Sequence, residues 1–234
     1  VADAGWIEGL LRPLADGPGS GETTGPKVVY GACRPRLDGE WARAQALAFL
    51  APRDLESGLA APFIASTLLH RSAWETVGRF PEDLRAAEDL LFLDRLRASG
   101  LSVTRSPDAV VEWSLPRTPA AVFRRFRLYS RYHLAAGLFR TWHLRVMAMD
   151  AGAVILAVIA VAAFRQGSSL AWGALGALSF GIGARVLRTV ARRRSNIDSA
   201  PFRLDRLLRV AWLLFLADTA AWAGAIDHLL ARAC

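Results

Sequence analysis

Two acidic pairs stand close together in the stretch RFPEDLRAAEDLLFLDRLRASG, residues 79–100: Glu82 with Asp83, and Glu88 with Asp89. A carboxylate can take the proton from a hydroxyl that is about to attack, or hold a divalent cation through oxygen. It is also common at helix starts, where unpaired N–H groups and the helix dipole favour negative charge. Glu82 and Asp83 fit that structural role. Glu88 and Asp89 directly precede the leucine run Leu90, Leu91 and Leu93, where an apolar face begins. From such a boundary a carboxylate can project off the helix start into a cleft. The opening VADAG, with Asp3, reads as an apolar approach to an acidic turn.

Other reactive residue types carry less. His70, His133, His143 and His228 show no ligand spacing and read as solvated or hydrogen-bonded groups. Cys33 and Cys234 show no zinc spacing. GPGSG lacks the lysine–serine pair and the strand-to-helix context of a phosphate loop, so it reads as a flexible connection.

The elements around these residues alternate. WIEGLLRPLADG places Trp6, Ile7, Leu10, Leu11 and Leu14 at helical spacing, and KVVYGACRP reads as a strand. GEWARAQALAFLAPRD reads as a helix stopped by Pro52, and a short element ends at Gly78. Leu90, Leu91, Leu93 and Leu96 form the apolar side of a helix that Gly100 closes, and LSVTRSPDAVVEWS supplies two short strands around Pro107. Strand and helix in alternation give an α/β class. Thr118 and Pro119 then start a basic helix with a hydroxyl cap and a proline in its first turn. Its Arg124, Arg125, Arg127 and Arg131, with Phe123, Phe126 and Tyr129 between them, suit a membrane surface.

Beyond this helix the chain changes character. The 234 residues are 53% hydrophobic. The excess gathers in three segments, about 146–164, 169–187 and 207–226, each close to the ~20 residues that cross a ~30 Å hydrocarbon core. Gly173, Gly176, Gly181 and Gly183 suit close helix packing there. Eight arginines between Arg185 and Arg209 surround the second connection, whereas Arg165 and Arg232 stand nearly alone on the other side. By the positive-inside rule, residues 1–145 and the 188–206 loop are cytoplasmic and the C-terminus is outside. The net charge of +8 then faces anionic lipid, which argues against nucleic acid as a partner. Asp150 and Asp218 fall within the apolar segments, where an ionisable group needs a partner such as an arginine of another helix, or lines a groove for a lipid acceptor.

The order of motifs resembles the second half of a family 2 glycosyltransferase, the inverting enzymes of GT-A fold. The matching residues are Asp3, then Arg71 through Gly78 to Phe80, then Glu88-Asp89, then Pro107, Ala109 and Val111, then Arg127, Tyr129, Arg131 and Tyr132. The resemblance covers residues 1–137. It implies a partial, Rossmann-like GT-A domain at 1–117 that lacks its N-terminal nucleotide-binding units, so that the chain reads as a piece whose beginning is missing. A basic interfacial helix at 118–145 and a transmembrane region at 146–234 would follow.

The same resemblance implies a multi-pass protein of the inner (plasma) membrane with its catalytic domain in the cytoplasm. It would move a sugar from a nucleoside diphosphate sugar donor to a hydroxyl acceptor, a lipid or an envelope polysaccharide. Asp89 would be the base, with Glu88 beside it orienting the site. Asp3 would meet the sugar nucleotide and a divalent cation, Mg2+ or Mn2+, and Arg127 and Arg131 would help neutralise the diphosphate. Two departures stand out: Gly5 occupies the place of a second carboxylate in the usual D-x-D, and Trp113 stands where many relatives place a histidine. The first of these, with the missing nucleotide-binding units, leaves open the alternative of a catalytically silent membrane scaffold of the same fold that binds a partner.

Overall fold

The computed structural model describes residues 1–15, 28–52 and 64–233. The segment GPGSGETTGP and Cys234 lie outside the described residues. The chain is mostly helical, with a small three-stranded mixed sheet, and divides into two compact units: 1–38 with 51–115, and 39–50 with 116–234.

The first unit is built on its sheet. Helix α1 (Trp6–Ala15) is followed by β1 (Val28–Arg36), β2 (Thr67–Leu69), α3 (Arg71–Val77), α4 (Glu88–Ala98) and β3 (Val103–Ser114); α2 (Gly39–Phe49) falls in the second unit. The strand order is β2-β1-β3, with β2 antiparallel and β3 parallel to β1. Successive strand residues face opposite sides of a sheet, and β1 uses both. Val28 packs with Ala73, Val77, Phe92, Leu93 and Leu96 of α3 and α4, whereas Val29 packs with Leu10 of α1 and Ala109 of β3. Helices therefore cover both faces.

Residues 103–114 form one strand where the sequence suggested two. Pairing with β1 carries straight through Pro107, although the register jumps from Gly31↔Ser106 to Ala32↔Val110. The extra residues bulge out, and a bulge is a place where a strand tolerates a proline that lacks an N–H. The opening residues do reach the sheet: Ala2 bridges Val111 in antiparallel sense and the Asp3 N–H donates to the Val110 carbonyl at 3.2 Å.

The motif from Arg71 to Phe80 is a turn-building device. His70 caps α3 by accepting from the Ser72 N–H at 3.2 Å, and Gly78 ends the helix at φ +84°, a backbone angle that favours glycine. The chain then doubles back so that the Phe80 ring meets that of Phe92 in α4 with centroids 4.5 Å apart. Glu82 and Asp83 sit in an exposed turn before α4, not at a helix start; the helix begins later, at Glu88. Gly100, at φ +69°, follows the end of α4, as its sequence position suggested.

The second unit holds α2, α5 (Pro119–Ala135), α6 (Phe139–Trp142), α7 (Leu144–Arg165), α8 (Leu170–Arg193) and α9 (Leu204–Ala233). Thr118 caps α5 through the Ala121 N–H at 3.2 Å, and Pro119 opens it. The helix is shorter than the 118–145 segment read from the sequence, because Gly137 turns the chain at φ +74°. Helices over 144–165, 170–196 and 204–232 are long and apolar enough to cross a membrane.

Charges on these helices find one another. Arg185 of α8 donates to both oxygens of Asp218 in α9, at 2.5 and 2.7 Å, and lies 3.8 Å from Asp150 of α7. The four glycines of α8 face open space among the described residues: a Cβ built on Gly173, Gly176, Gly181 or Gly183 meets nothing within 4 Å.

Helix α2 is tied in by its ends. Its last carbonyls have no partner within the helix. Asn196 Nδ2 donates to Ala46 O at 3.1 Å and Arg193 Nε to Leu50 O at 2.8 Å. At the other end the buried Arg206 guanidinium donates to both oxygens of Glu40 at 2.8 to 2.9 Å, and those bonds hold the Glu40 carboxyl below its usual range.

His133 of α5 and His143, just before α7, are both buried with rings 5.5 Å apart. Burial pushes His133 down to about 4, with the His143 ring adding to the effect, and burial also lowers His143. A histidine held neutral in the fold favours the unfolded state once the free imidazole protonates, so stability is full above the unfolded pKa of about 6.5 and falls as pH drops toward 4. Thermal melts in detergent should show Tm decreasing through that window. His133→Gln should flatten the slope; an unchanged slope would remove the pair as its source.

Candidate active site at the start of α4

The backbone arrives at Glu88 under strain. Ala87 adopts φ +72°, ψ −3°, the left-handed region that an L-residue with a Cβ enters at a penalty of about 1–2 kcal/mol. Among the described residues it is the one non-glycine with positive φ. Ala86 and Ala87 are both buried, so the bend is fixed by packing and not left free in solvent. No side chain caps α4 at Ala87, and the dipole of the first turn acts on Glu88 and Asp89 themselves.

The two carboxylates behave differently. Asp89 Oδ1 accepts from the Leu90 N–H at 2.9 Å, which fixes one oxygen at the helix start. Glu88 is half-buried, and its Oε2 is enclosed with no hydrogen-bond partner among the described residues. Buried acceptors are almost always paired, so an orphan beside a strained residue marks a site under a constraint other than stability.

Asp3 is exposed and anchored by its backbone: its N–H goes to Val110 O and its carbonyl accepts from the Trp6 N–H at 3.0 Å. It leads into α1 on the Val29 face of the sheet, whereas α4 packs on the Val28 face. Asp3 is held at β3, through Val110, and Asp89 at the start of α4. Among the described residues no group of three His, Cys, Asp or Glu could hold a metal ion. One carboxylate does not make a resident metal site. It suffices only for a cation that arrives with its own phosphate ligands, as Mg2+ commonly does.

Arg127 and Arg131 belong to the second unit. Arg127 is already engaged, donating to both oxygens of Asp227 at 2.6 and 2.7 Å. Arg131 is exposed, with its guanidinium 5.7 Å from the Tyr132 ring centroid.

Sequence reasoning missed Ser66 and Ala87. Ser66, fully buried, accepts from Trp6 Nε1 at 3.0 Å and donates to Ala109 O at 3.3 Å, which locks α1 to β3. Nothing around Ser66 in the chain signals this, since its partners lie 60 and 43 residues away. For Ala87 the only hint was the position of an alanine pair just before an acidic pair.

No family model matches the chain, and no curated protein matches it. The site is therefore judged on its own chemistry. If Glu88 Oε2 is an orphan held for function, Glu88→Met removes a buried unpaired acceptor at similar volume and should raise stability by about 1 kcal/mol. Equilibrium unfolding reads this directly; a loss of stability would show that the carboxylate has a structural partner.

Proposed function

We propose that the protein is a membrane-bound glycosyltransferase of the inverting, family 2 kind, acting at the first turn of α4. The observation that carries the proposal is the pairing of Glu88 and Asp89 behind a left-handed Ala87, with one Glu88 oxygen enclosed and unpartnered. In sequence this pair stands between the turn motif ending at Phe80 and the Pro107–Val111 strand, the order that such enzymes show. The three membrane-length helices support a membrane-bound acceptor, a lipid or an envelope polysaccharide. The proposed setting is the cytoplasmic face of the inner (plasma) membrane, with a GT-A-like catalytic domain held by a multi-pass region.

In the proposed reaction the acceptor oxygen attacks the anomeric carbon from the face opposite the diphosphate. The bond to the diphosphate oxygen breaks, the nucleoside diphosphate leaves with that electron pair, and Asp89 takes the acceptor's proton. Glu88 orients Asp89 or the acceptor hydroxyl. Asp3 offers a single carboxylate to a divalent cation, Mg2+ or Mn2+, carried in on the donor; that cation supplies charge neutralisation at the diphosphate.

A second reading, a catalytically silent membrane scaffold that binds a partner enzyme, is favoured by one specific observation. Asp3 is exposed and is the one carboxylate of its motif, since Gly5 stands in the second place. The two readings separate on one variant. In the complete protein, Asp89→Asn should lower sugar transfer by about 100- to 10,000-fold while leaving donor affinity nearly unchanged. Transfer at the wild-type rate would remove Asp89 as the base, and a wild-type protein inert toward every donor would favour the scaffold.

A further inference from the structure

We infer that α9 does not cross the membrane but lies along its surface, so that the C-terminal end of α9 is on the same side as α2 and α5. This goes beyond the proposed chemistry and does not depend on it. It also replaces the expectation, drawn from arginine counts, of an outward C-terminus.

The argument starts from what covers α9. Near its beginning, Arg206 is closed off by Glu40 of α2 at 2.8 to 2.9 Å. Near its end, α5 presses directly on the backbone. A Cβ added to Gly224 would collide with the Arg127 carbonyl and lie 2.8 Å from the Ser130 Cβ. Ser130 Oγ donates to Ala221 O at 2.7 Å, and Arg127 holds Asp227. The covering helices are tied to each other: Phe49 and Phe126 have ring centroids 4.4 Å apart, and Trp41 and Gln45 both donate to the Pro116 carbonyl.

From Arg206 to Asp227 the axis of α9 runs about 32 Å, the thickness of a hydrocarbon core. Both ends of that run touch helices that precede the first apolar segment. If α9 crossed, α5 would have to accompany it to the far side, carrying exposed Arg124, Arg127 and Arg131 into hydrocarbon at high cost.

The uncovered side of α9 supports the same geometry. Leu204, Leu208, Trp212, Phe215, Trp222 and Ile226 form one exposed stripe along the helix, each at least 42% accessible. An apolar stripe with tryptophan and phenylalanine, on a helix whose other side is covered by protein helices, suits a helix sunk to the boundary between headgroups and acyl chains. Trp222 of the stripe meets α7 through Asp150, and α7 and α8 are themselves long and apolar enough to cross a membrane, so the occupant of the stripe is lipid. The ion group Asp150–Arg185–Asp218, which also receives Trp222 Nε1 on Asp150 at 3.0 Å, then marks where α7 and α8 meet α9 at the surface. In a crossing α9 the same charges would sit at mid-membrane.

Two experiments on the whole chain in phosphatidylethanolamine/phosphatidylglycerol vesicles test this, in a Cys33→Ala, Cys234→Ala background. Nitroxides at Leu208→Cys, Phe215→Cys and Ile226→Cys should report one shallow depth. A Phe215 label much deeper than its two neighbours would overturn the inference, and so would spectra broadened by a second chain's label. Separately, an impermeant maleimide should label Arg232→Cys to the same fraction as Arg124→Cys, with Ser168→Cys, in the α7–α8 turn, labelled in the complementary fraction. Arg232→Cys labelling together with Ser168→Cys would place the C-terminal end across the bilayer.

Discussion

The sheet unit rests on one irregularity, the bulge of Pro107, Asp108 and Ala109 against Gly31. A side chain at Gly31 would run into the Ala109 carbonyl and stand 2.5 Å from Ser66 Oγ, so the close approach of β1, β3 and residue 66 requires glycine there. The bulge in turn seats α1. Ser106 Oγ donates to Gly9 O at 2.6 Å, Arg12 pairs with Asp108 at 2.9 Å, and a Cβ on Gly9 would come within 3.0 Å of the Ala109 N. Because β3 resumes pairing at Val110, its carbonyl is where Asp3 can anchor. A proline that sequence patterning treats as a strand break is here the centre of the assembly.

The second unit depends on a different kind of constraint, a buried cation. Arg206 is 1% exposed, and a guanidinium in that position must be fully satisfied. Glu40 supplies the charge, while Ser199 and the Ala200 carbonyl take further N–H groups. That closure ties α2 to the start of α9, and Gly224 admits α5 near its end. α9 is thus the spine on which α2 and α5, both ahead of the first apolar segment, converge.

Local signals in the sequence were read well where the chain itself supplies the physics. The caps at Thr118 and Gly100, the turn at Gly78 and the apolar lengths of α7, α8 and α9 are properties of neighbouring residues, and all appear where expected. An arginine of another helix was one of two expected roles for Asp218, because an acid within an apolar segment needs a partner, and Arg185 is that partner. What escaped was long-range. Arg206 reads as one more basic loop residue until Glu40, 166 positions earlier, closes on it. Gly173, Gly176, Gly181 and Gly183 suggested tight packing, but composition says nothing of which way a helix face points, and theirs is open. In the candidate site the acidic pair was legible, whereas the left-handed Ala87 and the enclosed Glu88 oxygen depend on how Ala86 and Ala87 are buried.

The proposed reaction is one event: a hydroxyl, unmasked by the carboxylate of Asp89, would displace a nucleoside diphosphate in a single step. Such a displacement must invert the anomeric carbon. The decisive measurement is the anomeric configuration of the product formed by the complete protein in lipid, from a panel of nucleoside diphosphate sugars with Mg2+ or Mn2+. The account predicts a product of configuration opposite to that of its donor. A product that keeps the donor's configuration would contradict it.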